Sequence, residues 1–517
     1  MRILRKEAWA GRWPLLCVAA YVGLGLAVSL VTSPLGDLGV EADFFAELAP
    51  AAQELAAGRF AVANHPYKGP LHAFVLVPVH ALLAPLGVGW YRAAVFLSLL
   101  AAAGTLLLLH RLARVLLGPR AAAVALLVAA VLKVFFIHAH KASSDQLFVL
   151  LVTAAAAVLL TGRPGPRAWL GCGAVAGLAW LTRDNGIVVP VWAALVLLAV
   201  DPWRQTWRRR ALGVACVAGA FLVVASPWLV ATRVQTGGWI ASRNLQNVVD
   251  EFYGGERAAL VPAGGFGSLG QVVAHDPAHF ASRFLGNLPR HFVADLNQVT
   301  GLTFGALALA LLALLAWRRP DRRQWAYLLL GALMFTALGA VFYRPRFSLP
   351  LVPVWAFAVA LACERLPRWR AAAAALVVAS AVSLHAVHAT RAVRFYASQQ
   401  PRHLEAAIAA APLWAAGAVG DDGRPVAVMA RKAHLAHHAG LRYVPYPLMA
   451  TDQQDLVDRA RARGATFLVV GRIERSYLPD EAMLDRLDTL PGVSVAWRDP
   501  QTLVYRVRDG RAPAGGS

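Results

Sequence analysis

Long apolar runs separated by short polar breaks set the pattern of this chain. Leu15 to Val31, Leu71 to Gly89, residues 91–109, Ala211 to Ala231 and Ala371 to Leu384 carry almost no charge. About 20 apolar residues is the length an α-helix needs to cross the hydrocarbon core of a bilayer. The pattern therefore predicts a polytopic α-helical membrane protein. The first run follows Arg2, Arg5 and Lys6, as a signal peptide would. It lacks a small-residue cleavage site and further runs follow it, so it reads as a retained span. After about residue 400 the pattern changes. Residues 403–417 read as helix, Pro425 to Met429 as a buried strand, and Thr451 to Arg463 as a helix with Thr451 and Asp452 as capping candidates. Thr466 to Gly471, Val493 to Trp497 and Thr502 to Val507 read as further strands. Strand alternating with helix predicts a small α/β domain. The expected division is a membrane domain over 1–395, an α/β domain over 396–510 and a disordered tail over 511–517. No solenoid-type internal repeat is visible.

Composition supports the membrane reading. Hydrophobic residues make up 58% of the 517 positions and charged residues 15%, where soluble domains carry about 25% charged. The net charge of +21 does not point to nucleic acid, because the arginines sit in short clusters between apolar runs. That is the signature of cytoplasmic loops. The cysteines, Cys17, Cys172, Cys216 and Cys363, all lie in or beside apolar runs and propose neither a disulfide framework nor a thiolate metal site.

The basic clusters also thread the chain. Arg2, Arg5, Lys6 and Arg12 place the N-terminus inside and deliver 35–70 outside. If 71–89 crossed fully, Arg204 to Arg210 and Arg318 to Arg323 would fall outside, against the rule. If it lies in the outer interface or re-enters, broken by Pro78 and Pro85, then Arg111 to Arg120, Arg163 and Arg167, Arg204 to Arg210, Arg318 to Arg323 and Arg365 to Arg370 all fall inside. This second threading gives about eleven spans and an extracytoplasmic C-terminal domain. The outer face collects the loop 35–70, the segment 138–145, the turn 182–186, the long loop 232–301 and the turn 342–346. Lys133, exceptional within a span, lies near an outer end where it can snorkel.

The outer face also collects the chemistry. Glu41 and Asp43 follow the first span, and Lys68 opens the interfacial segment. Asp145 stands where a span begins again, Arg183 and Asp184 share a turn, and Tyr343, Arg344 and Arg346 share another. Each has an ordinary structural reading: acids at helix starts favour the dipole, and interfacial lysines anchor. Their convergence on one face, beside spans nearly free of charge, points to acid–base groups and phosphate ligands at a membrane surface. Arginine suits phosphate because its planar fork gives paired hydrogen bonds. His434, His437 and His438 share one helix face, but no Cys or acidic fourth ligand stands nearby, so zinc is disfavoured.

The ordered set of elements resembles the C-type glycosyltransferase superfamily. It comprises the acidic first loop, Lys68-Gly69-Pro70-Leu71, Asp145, the Gly-Leu-Ala-x-Leu-Thr-Arg element at Gly177–Arg183 and the Arg-Phe-x-x-Pro element at Arg346–Pro350. The most similar branch is that of the bacterial aminoarabinose transferases and protein O-mannosyltransferases. Two departures stand out: the family's Asp-Glu pair is split here as Glu41-Ala42-Asp43, and Lys-Gly-Pro-Leu replaces the commoner Lys-Pro-Pro-Leu. Asp43 matches the catalytic carboxylate better, through its distance to Gly58 and its neighbours Phe44 and Phe45, with Glu41 the other candidate. The resemblance implies a polyprenyl-phosphate sugar donor and a lipid, glycan or protein acceptor. It also implies an inverting displacement with a carboxylate base, Asp145 in support, and donor phosphate held by Lys68, Arg183, Tyr343, Arg344 and Arg346. No cofactor is implied; a divalent metal near His138, His140 and Asp145 is not favoured. A lipid-linked substrate transporter or flippase would carry inverted repeats and mid-membrane polar breaks, which the sequence does not show. An oligosaccharide ligase remains the alternative within the enzyme class.

The threading makes a direct prediction. A reporter fused after residue 395 is exported and one fused near Arg208 stays cytoplasmic; both on one side would refute it.

Overall fold

The computed structural model describes residues 2–32, 35–240, 243–254, 265–300, 320–365, 370–416, 426–447, 452–475, 484 and 486–508. The chain divides into two compact units. The first comprises Met1–Val31 and Ala51–Arg394, and the second Thr32–Pro50 and Phe395–Ser517.

The first unit is helical. Its main elements are α1 (Arg2–Thr32), α2 (Ala49–Ala56), α3 (Leu71–Leu83), α4 (Trp90–Leu117), α5 (Pro119–Val131), α6 (Lys133–Ala139), α7 (Asp145–Thr161), α8 (Pro166–Thr182), α9 (Val188–Leu195) and α10 (Trp207–Thr236). They continue with α11 (Leu245–Tyr253), α12 (Leu269–His275), α13 (Pro277–Gln298), α14 (Arg322–Leu338), α15 (Val352–Glu364) and α16 (Arg370–Ser398). Among the described residues four helices are long and apolar enough to cross a membrane: Arg12–Thr32, Trp90–Leu117, Trp207–Thr236 and Pro345–Glu364. The pair α5 and α6, bent by 66° at its break, makes a fifth if it is one span. Leu71–Leu86, Asp145–Thr161 and Asp184–Val200 are shorter apolar helices. The crossing expected after residue 301 lies outside the described residues. Lys133 opens α6 at the break.

Small residues let the helices approach. α8 packs on α10 and α7, and α4 on α7 and α5. A Cβ on Gly173 would lie 2.3 Å from the Val217 carbonyl oxygen, and one on Gly177 2.8 Å from the Val224 side chain. Without water between helices, close backbone approach takes the place of the hydrophobic drive. Three buried threonines close on their own helix: Thr105, Thr153 and Thr182 donate to carbonyls four residues back at 2.8–2.9 Å. On α10, Leu222, Val223, Val230 and Val234 are exposed, the face a lipid-bathed helix presents.

The connections predicted to lie inside meet at one end of this unit. Arg210 pairs with Asp201 at 2.7 Å, and Arg322 donates to the Asp201 carbonyl at 3.1 Å. Gln324 donates to the Leu116 carbonyl and accepts from Arg365, both at 3.0 Å.

The second unit holds a five-stranded sheet in the order β2-β1-β3-β5-β4, with β1 (Ala427–Ala430), β2 (Arg442–Pro445), β3 (Phe467–Val470), β4 (Val493–Arg498) and β5 (Leu503–Val507). β1 runs parallel to β2 and β3, while β5 is antiparallel to β3 and β4. Ala427 and Met429 face one core with Leu456, Val457 and Leu468; Val428 and Ala430 face the other with Leu404, Trp414, Leu435 and Phe467. Burial on both faces explains why these strands read as continuous apolar runs. Three expectations change here. The strand expected at Pro425–Met429 is Ala427–Ala430, Pro425 lying outside the described residues. The helix expected over Thr451–Arg463 is Gln453–Ala462, capped by Asp452, which accepts from the Asp455 N–H at 2.8 Å; Thr451 lies outside the described residues. β2 was not foreseen, because its four residues, Arg442 to Pro445, are too few to carry an apolar run or an alternation.

The Gly173 contact is testable. Gly173→Ala should lower stability by about 1–3 kcal/mol through forced separation of α8 and α10. A wild-type unfolding midpoint in mixed micelles would contradict it.

Candidate active site

The acidic loop folds within the second unit. Asp37 Oδ1 accepts the N–H groups of Gly39 at 2.8 Å and Val40 at 2.7 Å, and Glu41 Oε2 accepts that of Asp37 at 2.9 Å. The Glu41 carbonyl receives Phe44 and Phe45 at 3.0 and 3.3 Å. Glu41 is thus fully buried and committed to shaping the loop, whereas Asp43 is half-buried at the start of the helical turn Phe44–Leu48 and gives that turn no side-chain cap.

Three histidines of the short helix His434–His438 grip this loop. The Nε2 of His434 lies 3.1 Å from the Asp37 carbonyl oxygen, and that of His438 3.1 Å from the Leu35 carbonyl oxygen. The Phe45 ring sits among them, with centroids 4.3, 4.9 and 5.4 Å from His434, His437 and His438. Carbonyl partners require Nε2 to carry the proton. The histidines are hydrogen-bond donors to a loop, and no metal-holding cluster of His, Cys, Asp and Glu occurs among the described residues. Burial, foremost, pushes His434 down to about 3 and His437 down to about 4.

The cationic groups belong to the first unit, at the end opposite the Asp201–Arg322 contacts. A cavity of about 780 Å³ opens there, lined by Asp145, Arg183, Asp184, Asn244 and Arg346 among largely apolar neighbours such as Phe148, Trp180, Phe221, Leu229 and Phe347. Arg183 ends α8 and its guanidinium pairs with Asp145, the first residue of α7. The turn that follows is tight: Gly186 N donates to the Arg183 carbonyl at 2.8 Å, and a Cβ on Gly186 would meet the Trp180 nitrogen at 2.5 Å. A Cβ on Gly69 would lie 2.1 Å from the Leu181 carbonyl oxygen. That contact explains why glycine follows Lys68: the segment carrying the lysine lies directly on the end of α8.

The turn 342–346 divides. Arg346 lines the cavity and stacks on Phe347 at 5.4 Å. Arg344 is exposed and stacks on Phe342 at 5.7 Å. The Tyr343 hydroxyl donates to Asp295 Oδ1 at 2.8 Å. Asp295 is buried, and desolvation pushes its carboxyl up to about 6 against the hydrogen bonds from Ser348 and Tyr343. Asp295, Asn244 and Asn247 come from the long loop 232–301, where no motif marked them. The only trace was Asn244 standing before an amphipathic helix, which reads as a cap; in the structure it caps nothing.

Residues 64–230 match the family model described as dolichyl-phosphate-mannose-protein mannosyltransferase. No curated protein sequence matches the chain. Its fold is similar to that of ArnT from Cupriavidus metallidurans bound to undecaprenyl phosphate, at 17% identity and TM-score 0.61, covering 96% of this chain and 99% of that one. It is also similar to the oligosaccharyltransferase AglB from Archaeoglobus fulgidus in complex with an inhibitory peptide and a dolichol-phosphate (14%, TM-score 0.56, 98% and 75% covered). A third similar structure is the arabinofuranosyltransferase AftD from Mycobacteria (17%, TM-score 0.52, 97% and 40%). The fold is the one these membrane glycosyltransferases share, and the family match over residues 64–230 points the same way. The resemblance read from the ordered motifs holds.

The histidine grip has a pH consequence. Unfolded, each histidine binds a proton near pH 6.5; folded, His434 and His437 do so only near 3 and 4. The unfolded state therefore binds more protons between these values. The stabilisation is full above about pH 6.5 and is lost as pH falls toward 4, by at most about 1.4 kcal/mol per unit for each histidine. Hydrogen exchange in the second unit, corrected for intrinsic rate, should show protection falling between pH 7 and 5. His434→Asn should flatten that dependence; an equal slope would refute it.

Proposed function

We propose that the chain transfers a sugar from a polyprenyl-phosphate donor to a lipid, glycan or protein acceptor on the extracytoplasmic face of the cell membrane. The N-terminus is then cytoplasmic, the second unit is extracytoplasmic, and the chain crosses the bilayer about eleven times. The observation that carries the reading is the cavity: a largely apolar wall whose charge, among the described residues, sits at Asp145, Arg183, Asp184 and Arg346 suits an isoprenoid chain ending in a phosphate. Undecaprenyl phosphate and a dolichol-phosphate in the similar structures favour the same ligand chemistry.

In this scheme Asp43 takes the proton of the acceptor hydroxyl. The oxygen attacks the anomeric carbon from the side opposite the phosphate, and the bond from that carbon to the phosphate oxygen breaks. The configuration inverts, and the lipid phosphate leaves with the electron pair. Lys68, Arg183 and Arg346 meet the growing phosphate charge; Asp145 holds the Arg183 fork in place. Arg344 serves at the rim, and Tyr343 contributes through its link to Asp295. Glu41 shapes the loop that presents Asp43. With cations meeting the leaving group, the scheme calls for no metal ion.

Mass spectrometry of cell-envelope glycolipids and glycans, with and without the protein, should reveal one missing sugar linkage. With that substrate in proteoliposomes, Asp43→Asn should cut turnover by about two to four orders of magnitude and leave donor binding nearly intact. Glu41→Gln, which keeps an acceptor for the Asp37 N–H, should be milder. Lys68→Ala and Arg346→Ala should weaken donor binding far more than folding. Wild-type turnover in Asp43→Asn would remove the base assignment, and wild-type donor affinity in both cation variants would remove the phosphate site.

A further inference from the structure

Asn244 stands at the head of α11 on the wall of the cavity and does not cap its helix. Its amide ties three distant segments together. Nδ2 donates to the Tyr67 carbonyl at 2.6 Å and to Asp184 Oδ2 at 2.8 Å, while Oδ1 accepts from Asn247 Nδ2 at 3.1 Å. A carbonyl and a carboxylate only accept, so the orientation of the amide is fixed. Beside it the Arg243 N–H donates to the Pro66 carbonyl at 2.7 Å. The backbone on the N-terminal side of Lys68 is therefore hydrogen-bonded to the head of α11, and on the C-terminal side Gly69 lies against Leu181. The turn carrying Arg183 and Asp184 is held by the same amide.

We propose that Asn244 is a positioning residue. It fixes the Lys68 segment against the Arg183–Asp184 turn and so sets how strongly the site binds a lipid phosphate. The inference rests on the reading of Lys68 as a donor-phosphate ligand. Two N–H groups are what the place demands. An aspartate would set its oxygens against the Tyr67 carbonyl and the Asp184 carboxylate. Each contact it removed would loosen one of the ties that hold the Lys68 segment and the Arg183–Asp184 turn to the head of α11.

The test titrates the purified full chain in micelles with undecaprenyl phosphate and records the thermal midpoint of each variant. Asn244→Asp should weaken binding about 10- to 100-fold. Pairing it with Asp184→Asn gives a carboxylate at 244 facing an amide at 184. The contact between these positions returns, while the hydrogen bond from position 244 to the Tyr67 carbonyl stays lost. In this swap the midpoint should recover toward wild type and binding should stay at least about ten-fold weak. Restored binding in the swap would overturn the proposal. In a Lys68→Ala background, Asn244→Asp should add no further loss, because it acts through that lysine; the same factor in both backgrounds would overturn it. If Lys68→Ala alone binds as wild type, the phosphate reading of Lys68 falls and takes this inference with it. If Lys68→Ala loses binding while Asn244→Asp keeps it, only the positioning role of Asn244 falls.

Discussion

Charge is expensive in hydrocarbon, and that single constraint organises the first unit. An ionised side chain at the bilayer centre costs at least about 2.5–3.5 kcal/mol, so ionised groups collect at helix ends and seek partners there. At one end Asp201, Arg210, Arg322, Gln324 and Arg365 tie the connections together. At the other, Asp145 pairs with Arg183, and the Lys68 segment docks on the end of α8. Between the two ends, threonines such as Thr105 and Thr153 close on their own helix, and the helices pack through glycine. The charged end of the bundle adjoins the apolar walls of the cavity.

The second unit handles its polar groups differently. Its sheet is buried on both faces by apolar side chains, yet the acidic loop is held chiefly by hydrogen bonds. Glu41 and Asp37 satisfy the loop from within, while His434 and His438 donate to its carbonyls around the Phe45 ring. Burial keeps His434 neutral, with its Nε2 proton directed at the Asp37 carbonyl oxygen. Asp43 is left half-buried in a loop whose backbone is otherwise fixed.

Much of this was legible in the sequence, and for local reasons. Apolar run length announced the membrane helices, and basic clusters announced which connections share an end; the contacts at Asp201 and Gln324 agree. The strand runs at 466–471 and 502–507 appeared because β3 and β5 are central and buried on both faces, and the run at 493–497 because apolar Val493, Val495 and Trp497 recur at every second position of edge strand β4. The elements at Lys68, Asp145, Gly177–Arg183 and Arg346 stood out because fixed residue types recur in a fixed order. Strand β2 did not show, since its four residues, Arg442 to Pro445, are too few to carry an apolar run or an alternation.

What the sequence by itself determined was which segments are apolar enough for a bilayer and which polar residues stand at their ends. The tertiary structure alone decided their partners. It gave the Tyr343 hydroxyl to Asp295, 48 positions away, turned Asn244 from a cap into a clamp on Tyr67, and joined the loop at 32–50 to a unit nearly 400 residues downstream. Hydropathy and propensity act over a few neighbouring residues. The pairing of two polar groups depends on how helices cross and where their ends come to rest, and that is settled only when the whole chain has packed.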